Sequence, residues 1–412
     1  MVNEKNLTTI FEEWINYPEN KGNVTHLRNI EASNGELFDI PDYLHSDLHT
    51  MLKNNGISNL YSHQRKAINL VNTHKNIALT SGPSSGKSLV YLLPILNEIF
   101  YKQKSTSLLL FPTKALAYDQ HKHIYQFISK SGLDLNTQNS LLRKINVYDG
   151  DTPKELRSTI RKNSQIILTN PDMLHFGILP NHDLWETFIE NLKYVILDEA
   201  HIYNGIFGSH VANVLRRLKR IVSLYNKKLI YICTSATIGN PDIHLKKLIE
   251  EDIELINEDG APKGRKTIVF YNPPLINQEL GIRKSTHEET LRLAEDFSSK
   301  KIQTLVFQAS RKAVEKSIKT LRGINGRNSN ENLSAYRSGY LAKDRRAIEE
   351  QFRSGKISTL FSTNALELGV DIGGLECVIL SGYPGTISST RQQIGRSGRS
   401  FQDALAIFIA SS

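Results

Sequence analysis

The stretch Tyr194-Val195-Ile196-Leu197-Asp198-Glu199-Ala200-His201 decides the fold expected for this chain. Four apolar residues run directly into two acids. An unbroken run rich in Val, Ile and Leu predicts a parallel strand that is buried on both faces. Asp198 and Glu199 then lie at the carboxyl end of that strand, which is where open α/β sheets bind their ligands.

Two adjacent acids in this position suit phosphate chemistry. The first can hold Mg²⁺ beside the phosphates of a nucleotide, and the second can deprotonate an attacking water. The sequence therefore predicts Asp198 as a metal ligand and Glu199 as a base. An Asp-Glu pair after a strand also occurs as a solvated loop, so the assignment depends on the rest of the chain.

Short apolar runs alternate with helical patterns along most of the chain, which is the rhythm of a parallel α/β sheet. The first series of predicted strands is Ile77–Thr80, Leu108–Phe111, Ile145–Tyr148, Ile166–Thr169, Tyr194–Leu197 and Leu229–Cys233. The second series is Thr267–Tyr271, Thr304–Phe307, Leu333–Tyr336, Thr359–Phe361, Cys377–Leu380 and Leu405–Ile409. We therefore expect two similar α/β domains in tandem, with a ligand bound in the cleft between them.

The domain boundaries follow from changes in composition. Residues 1–55 are polar and mixed, and they predict an N-terminal extension that packs on the first domain. The first domain is expected at 56–257 and the second at 267–412. Between them the polar segment 258–266 contains Gly and Pro and predicts a linker.

Length and composition limit the class of protein. A chain of 412 residues with 39% hydrophobic residues is expected to form two globular domains and an extension. The longest apolar run, Leu89 to Leu96, is too short to span a bilayer, and the N-terminus has no signal pattern, so we expect a cytoplasmic protein without a membrane partner. Cys233 and Cys377 each lie in an apolar run and are expected to be buried hydrophobes.

The net charge is +9, and residues 266–412 hold 21 Lys and Arg against 14 Asp and Glu. A polyanion is therefore a plausible partner.

A phosphate-binding loop is predicted at Ser81-Gly82-Pro83-Ser84-Ser85-Gly86-Lys87-Ser88. The stretch follows the predicted strand Ile77–Thr80 and precedes an apolar helix, and this is the context that such a loop needs. Backbone N–H groups and the helix N-terminus can hold phosphate oxygens. Lys87 would add a charge at the β- and γ-phosphates, and the Ser88 hydroxyl would reach Mg²⁺. Ser81 takes the place of the first glycine of the generic pattern.

From about Leu60 to its end the chain resembles the superfamily-two helicases of the DExH type, which have two RecA-like domains of the P-loop NTPase fold. The segments that carry the resemblance occur in the family's order, and they are Leu60–Gln64, Ser81–Ser88, Phe111–Ala117, Gly150–Thr152, Thr169–Asp172, Asp198–His201, Ser235–Thr237, Thr363–Asp371 and Gln392–Arg399.

The resemblance implies ATP and Mg²⁺ as cofactors, with ATP between the two domains. The residues implied in nucleotide binding are Tyr61, Gln64, Ser81, Gly82, Pro83, Ser84, Ser85, Gly86, Lys87, Ser88, Gly369, Asp371 and Gln392. Those implied in catalysis are Lys87, Asp198, Glu199, Arg396 and Arg399, and the two arginines would act on the γ-phosphate. The metal would be held by Ser88 and Asp198.

The same resemblance implies residues for nucleic acid and for coupling. Contacts to the strand are implied for Pro112, Thr113, Lys114, Gly150, Thr169, Pro171, Asp172 and Thr363. His201, Ser235 and Thr237 would couple the ATP site to domain movement.

Three further segments, His201–Val211, Ala335–Leu341 and Tyr383–Thr386, are similar to the bacterial mitomycin repair factor A (YprA-like) branch of DNA helicases. Members of that branch carry an additional C-terminal region with four zinc-binding cysteines, which these 412 residues do not include. We expect ATPase activity without that region, and we expect efficient unwinding to need it, for example from a partner chain.

The function expected from the sequence is that of an ATP-dependent DNA helicase or translocase core in DNA repair, acting on single-stranded or tailed duplex DNA. One alternative is an RNA helicase of the same superfamily. Only the similarity of the three further segments to a branch of DNA helicases favours DNA. Another is a truncated nucleic-acid-binding module that does not hydrolyse ATP. The presence of every named catalytic residue argues against this module.

Overall fold

The computed structural model describes residues 7–82, 85–101, 103–225, 227–236, 238–325, 332–337, 339–367, 372–398 and 402–411. The chain forms two compact units. The phosphate-loop unit is Gly35–Ala261, and the C-terminal unit combines Met1–Asn34 with Pro262–Ser412. Several predicted site residues lie outside the described residues, namely Pro83, Ser84, Thr237, Gly369, Asp371 and Arg399.

The phosphate-loop unit is built on a sheet whose described strands all run parallel. In spatial order these strands are Glu254–Ile256, Ile77–Thr80, Ile230–Ser235, Leu192–Leu197, Thr106–Leu110, Ile166–Thr169 and Ile145–Val147. The central strands are buried along their whole length, as continuous apolar runs require. The sequence missed Glu254–Ile256 because this strand is only three residues long and only Ile256 is buried.

Helices cover the two faces of this sheet. They are Ser46–Asn54, Ser62–Asn72, Ser88–Phe100, Lys114–Ser129, Leu135–Arg143, Lys154–Asn163, Pro171–Met173, Glu186–Glu190, Gly205–Ser223 and Pro241–Ile249. A π-helical turn at Leu174–Ile178 and 3₁₀ turns at Leu179–Trp185 and Ala200–Ile202 complete the unit, together with a small pair of strands, Leu37–Phe38 and Leu60–Tyr61. The core includes the apolar face of Gly205–Ser223, whose basic residues lie on the other side.

The C-terminal unit repeats this architecture. In spatial order its described strands are Val24–Ile30, Lys266–Tyr271, Ala404–Ile409, Cys377–Ser381, Thr304–Gln308, Thr359–Ser362 and Leu333–Tyr336. All of them are parallel except Val24–Ile30, which pairs antiparallel with Lys266–Tyr271. The helices are Leu7–Asn16, Thr286–Ser299, Arg311–Asn325, Ala342–Arg353 and Ile387–Ile394, with a 3₁₀ turn at Asn364–Leu366. The prediction of two parallel-sheet α/β domains is confirmed.

The N-terminal segment corrects one expectation. Residues 1–55 were expected to pack on the first domain, but the described residues up to and including Asn34 belong to the C-terminal unit. Val24–Ile30 occupies the free edge of Lys266–Tyr271, so that Leu27 pairs with Val269. Edge strands expose unpaired backbone groups, and an added antiparallel strand satisfies them.

Trp14 fixes the helix Leu7–Asn16 to this unit. Its side chain is fully buried, and its ring lies 6.0 Å from that of Tyr271 and 5.8 Å from that of Phe297. Asn20 extends the connection, since it donates to the Trp14 carbonyl and accepts from Arg292. The local sequence around Trp14 carries no information about which sheet receives it.

We expect Trp14→Ala to destabilise the C-terminal unit by about 3–5 kcal/mol, because it leaves a large cavity. Thermal unfolding would measure this loss, and binding of a fluorescent nucleotide at low temperature would show that the phosphate-loop unit stays intact. Tyr17→Ala is the matched control, because Tyr17 is 43% exposed and stacks only with Lys300 among the aromatic and cation–π contacts described. Equal stability of the two variants would contradict the placement.

The remaining features of the fold are smaller. The segment after Lys266–Tyr271 contains a short hairpin of Leu275–Asn277 and Ile282–Arg283. The boundary between the units falls at Ala261–Pro262, inside the expected linker 258–266. Cys233 and Cys377 are buried and free, as expected. In the described part of the chain no helix has both the length and the apolar character needed to cross a membrane.

Candidate functional site

Three neighbouring strands bring the predicted nucleotide residues together. Ile77–Thr80, Ile230–Ser235 and Leu192–Leu197 lie side by side in the parallel sheet. The phosphate loop follows the first strand, Ala236 follows the second, and Asp198 with Glu199 follows the third. Since the carboxyl ends of parallel strands meet at one edge, these residues of distant sequence share one site.

The phosphate loop is closed by hydroxyl groups. Ser81 Oγ and Ser85 Oγ are 2.6 Å apart, and Ser85 Oγ donates to the Gly82 carbonyl at 2.9 Å. The serine in the place of the first glycine therefore makes a bond that a glycine could not. Lys87 Nζ donates to the Ser81 carbonyl at 3.2 Å, which holds the ammonium over the loop.

Gly86 is required by the local geometry. Its φ is +72°, in the left-handed region that favours glycine, and a Cβ there would lie 2.4 Å from Gln64 Nε2. Ser88 follows at the first position of the helix Ser88–Phe100, where unpaired backbone N–H groups and the helix dipole favour an anion.

Gln64 connects the adenine segment to the loop. Its Oε1 accepts from the Tyr61 backbone at 3.0 Å, and its Nε2 donates to the Gly86 carbonyl at 2.9 Å. An amide has two acceptor sites and two donors, so each end retains the capacity for a second bond to a base. Gln64 thus has a structural role in addition to the adenine contact expected from the sequence.

Asp198 is a buried acid at the centre of the site. Only 7% of the residue is exposed, and Oδ1 accepts a hydrogen bond from Thr234. Burial, reinforced by the neighbouring Glu199 charge, raises the pKa of Asp198 to about 6, although Thr234 and Lys87 oppose the shift. A buried carboxylate that resists ionisation is stabilised by a bound cation. Sequence reasoning missed Thr234, which comes from the adjacent strand and has no motif signal.

Glu199 and His201 form a second pair beside it. Glu199 has φ of +49°, an uncommon conformation for a residue with a side chain. His201 Nδ1 accepts from the Ala236 backbone at 3.2 Å and lies 3.4 Å from Glu199 Oε2. Burial lowers the pKa of His201, so the ring is neutral at pH 7. It is therefore bonded to Ala236, which follows the buried Ser235, and it lies beside the Glu199 carboxylate.

The candidate strand-contact residues of the phosphate-loop unit lie along the other half of the same sheet edge. They follow Thr106–Leu110, Ile166–Thr169 and Ile145–Val147, which are neighbours in the sheet. Thr113 caps the helix Lys114–Ser129 by accepting from the Leu116 backbone at 3.3 Å. Lys114 Nζ is 2.9 Å from Asp151, next to Gly150.

These residues differ in exposure. Thr113, Lys114, Gly150 and Asp172 are exposed, and Pro112 is half-buried. Thr169 is fully buried and its hydroxyl donates to the Tyr148 carbonyl at 2.6 Å, which argues against a direct contact from this side chain. Pro171 is also buried and begins the helix Pro171–Met173, so both residues shape the loop that presents Asp172.

In the C-terminal unit the predicted residues that the structure describes are buried. Arg396 is only 4% exposed, and its guanidinium donates to the Glu367 carbonyl at 2.7 Å. Thr363 accepts from the Ala365 backbone, and Gln392 is 8% exposed on the helix Ile387–Ile394. These residues follow two strands of one sheet.

Lys266, which the sequence did not suggest, supports the arginine segment. Its Nζ donates to the Ile394 carbonyl at 3.2 Å, at the end of the helix that precedes Arg396. Burial lowers the pKa of Lys266 to about 8, and the nearby Lys263 charge adds to the shift. No motif marked this lysine, because it lies at the start of an ordinary strand.

Two further residues missed by the sequence analysis contact the phosphate loop. Asp259 Oδ2 accepts from the Gly82 backbone at 3.1 Å, and His63 Nε2 lies 3.0 Å from the Ser85 carbonyl. Asp259 falls within the expected linker, and His63 lies between Tyr61 and Gln64. Two sequence signals could have indicated these residues. One is the Asp259-Gly260 pair, and the other is a histidine inside the adenine segment Leu60–Gln64.

Two family models match the chain. The model described as DEAD/DEAH box helicase matches residues 61–244, and the model described as Helicase conserved C-terminal domain matches residues 287–401. The match to the first model spans the phosphate loop and the Asp198-Glu199 pair, and the match to the second spans Arg396.

Individual relatives agree with these models. The chain is 43% identical over 391 residues to the ATP-dependent helicase YprA of Bacillus subtilis, covering 95% of this chain and 51% of that protein. It is 41% identical over 360 residues to the ATP-dependent helicase HRQ1 of Saccharomyces cerevisiae, covering 86% of this chain and 33% of that protein. The chain thus spans between a third and a half of the length of these relatives.

A solved structure is similar over nearly the whole chain. The DUF1998 helicase MrfA bound to DNA superposes with a TM-score of 0.91 at 41% identity, covering 99% of this chain and 53% of that one. The same helicase bound to DNA and AMPPNP gives a TM-score of 0.90. The chain therefore belongs to the superfamily-two DEAD/DEAH-box helicases, in the branch that includes YprA and MrfA.

Proposed function

We propose that this chain is an ATP-dependent DNA motor that hydrolyses ATP and couples hydrolysis to movement on DNA, in DNA repair. The observation that carries the proposal is the convergence of Lys87, Asp198 and Glu199 at one sheet edge. A phosphate loop, a buried acid and an adjacent partly exposed acid are the parts that nucleotide hydrolysis needs.

Mg²⁺ fits the residues that are present. The Asp198 carboxylate and the Ser88 hydroxyl are oxygen ligands of the type that Mg²⁺ prefers. In the described ranges, no three side chains among His, Cys, Asp and Glu gather into a metal cage. Mg²⁺ usually needs no such cage, because it retains waters and binds one or two carboxylates together with substrate phosphates. Bound there, it would neutralise phosphate charge.

The residues of the chain would divide the remaining work. Lys87 places a point charge beside the phosphate loop, while the helix N-terminus at Ser88 directs its N–H groups to the phosphates. Glu199 acts as the base that takes the proton of the attacking water. His201, neutral and hydrogen-bonded to the Ala236 N–H, connects this part of the site to the next strand and lies 3.4 Å from Glu199 Oε2.

Support for DNA as the partner comes from two sources. The described candidate contacts offer hydroxyl, ammonium and backbone groups at one sheet edge, and such groups suit phosphate oxygens more than base edges. In addition, MrfA, which is similar over almost the whole chain, has been solved bound to DNA. We propose single-stranded or tailed duplex DNA as the substrate.

The ATPase rate measured without nucleic acid, with single-stranded DNA, with duplex DNA and with RNA tests this proposal. We expect single-stranded DNA to stimulate turnover most strongly. Equal or greater stimulation by RNA would favour an RNA helicase. Nucleotide binding without turnover under every condition would favour a binding module that does not hydrolyse ATP.

We expect DNA binding to depend strongly on salt and weakly on sequence. The net charge of +9 and the backbone-type contacts favour the release of counterions on binding. Fluorescence anisotropy with single-stranded oligonucleotides would give a linear fall of log affinity with log salt, with a slope near −0.7 per phosphate neutralised. Tight binding that is independent of salt would contradict a backbone-reading mode, and so would strong discrimination among unrelated sequences.

A further inference from the structure

The segment that leads out of the phosphate-loop unit is bonded to the phosphate loop. Residues 259–261, the junction segment, end this unit, and the chain continues into the C-terminal unit at Pro262. Within the junction segment, Asp259 Oδ2 accepts from the Gly82 N–H at 3.1 Å, and its Oδ1 accepts from the Ala261 N–H at 3.2 Å. One carboxylate thus accepts hydrogen bonds both from the phosphate loop and from Ala261, the last residue of the phosphate-loop unit.

His63 makes a second connection, at the other end of the loop. Its Nδ1 accepts from the Gly260 N–H at 3.2 Å, so the proton is on Nε2, which donates to the Ser85 carbonyl at 3.0 Å. The residue is only 1% exposed, and Nδ1 also lies 4.0 Å from Asp259 Oδ1. The loop is therefore attached to the junction segment at Gly82 through Asp259 and at Ser85 through His63.

The junction segment is closely packed around Gly260. A Cβ on Gly260 would lie 2.0 Å from Ser62 Oγ and 3.2 Å from the Ser62 backbone nitrogen. The Gly260 carbonyl also accepts from the Glu36 N–H at 2.9 Å. The junction segment is thus held on both sides, and a shift of the phosphate loop would be passed to it through the hydrogen bonds of Asp259 and His63.

The charge of Asp259 is informative. A carboxylate near a phosphate site repels the anion that binds there. An acid in this position is therefore expected to have another role that offsets the repulsion. The Asp259 side chain is 12% exposed, so its bonds to backbone N–H groups are charge-assisted and largely shielded from water. Such bonds are about twice as strong as neutral ones, which suits an acid that holds the shape of a loop.

We propose that Asp259 is a positioning residue that couples the phosphate loop to the connection between the two units, with His63 as its partner. Neither residue touches the nucleotide in this mechanism. When phosphates bind to the loop, they set the positions of Gly82 and Ser85, and Asp259 and His63 pass these positions to residues 259–261. The inference rests on the proposed ATPase function. It adds a path by which nucleotide binding at the phosphate loop affects residues 259–261, where the chain leaves this unit.

Three variants test the kinetic part. Asp259→Ala should raise the KM for ATP about tenfold, because the loss of a charge-assisted hydrogen bond that holds the loop outweighs the removal of a like charge, and it should reduce the ratio of DNA-stimulated to basal kcat. Asp259→Asn keeps one acceptor oxygen and should have an intermediate KM. Glu258→Ala is the matched control, because the neighbouring acid is exposed and carries the same charge. Its KM and stimulation ratio should stay within twofold of wild type, a limit equivalent to about 0.4 kcal/mol.

Hydrogen exchange of the full chain distinguishes positioning from a general structural role. AMPPNP should slow exchange at the Gly260 amide in the wild type, and Asp259→Ala should lose this response while retaining the wild-type exchange of the helix Pro241–Ile249. Retention of that helix shows that the variant is folded.

The inference would be overturned if Asp259→Ala matched Glu258→Ala in KM and stimulation ratio, if Asp259→Asn were no better than Asp259→Ala, or if the Gly260 response survived in Asp259→Ala. The proposed function fails separately, if the wild type does not hydrolyse ATP with any nucleic acid. The exchange experiment remains decisive in that case, because it needs nucleotide binding and no turnover.

Discussion

Glu199→Gln should reduce ATP turnover by about 10²–10⁴, the usual contribution of a general base, and should leave ATP binding intact. The substitution keeps the shape of a side chain that lies 3.4 Å from His201 Nδ1 and removes only the ability to accept a proton. DNA-stimulated phosphate release measures turnover, and a fluorescent ATP analogue measures affinity. Turnover at the wild-type rate, in a preparation free of contaminating ATPase, would exclude Glu199 as the base.

Two companion variants make this result specific. Glu186→Gln changes an exposed acid in the same unit and should behave as wild type. Lys87→Ala should instead weaken ATP binding, because it removes the ammonium that Ser81 holds over the loop. The pattern of binding without turnover in Glu199→Gln, and weak binding in Lys87→Ala, separates a base from a phosphate ligand.

The architecture was predictable because its signals are local. Ile77–Thr80 and Leu192–Leu197 are continuous apolar runs, and the phosphate loop and the Asp198-Glu199 pair come directly after them. Parallel strands place the loops at their carboxyl ends along one edge, so the sequence order alone predicted that these residues would meet. The helix after the loop was equally clear, since its apolar residues are nearly continuous.

The unpredicted parts depend on contacts that are distant in sequence. An apolar side chain such as Trp14 could pack on either sheet, so its burial against Tyr271 and Phe297 could not be predicted from residues 1–55. Asp259 lies 177 residues from Gly82 in a polar segment that is typical of a linker. Lys266 at the start of a strand gives no sign of the helix end that it supports.

Two of the predicted residues make hydrogen bonds within the protein that their motifs did not indicate. Thr169 belongs to a motif associated with strand contact, but it is fully buried and holds the Tyr148 carbonyl. Gln64 was expected to read adenine, and it also holds the Gly86 carbonyl of the loop. A motif identifies which residues matter, whereas the division between contact and support depends on burial and hydrogen bonding.

Arg396→Ala should have the largest kinetic effect in the C-terminal unit. The family resemblance assigns this arginine to the charge that develops on the γ-phosphate, and such arginines contribute about 10³–10⁵ in rate. Arg396 is 4% exposed and donates to the Glu367 carbonyl, so alanine also removes a buried support. We therefore expect turnover to fall by at least about 10³ and the unfolding temperature of the C-terminal unit to fall as well.

A conservative variant separates these two roles. Arg396→Lys keeps the positive charge and can donate to Glu367, but it lacks the planar fork of the guanidinium. It should recover much of the stability and little of the turnover, while nucleotide binding to the phosphate-loop unit stays unchanged in both variants. Arg391→Ala, an exposed arginine on the preceding helix, should change neither property. Recovery of turnover in proportion to stability in Arg396→Lys would show that Arg396 supports the fold of its segment and takes no part in catalysis.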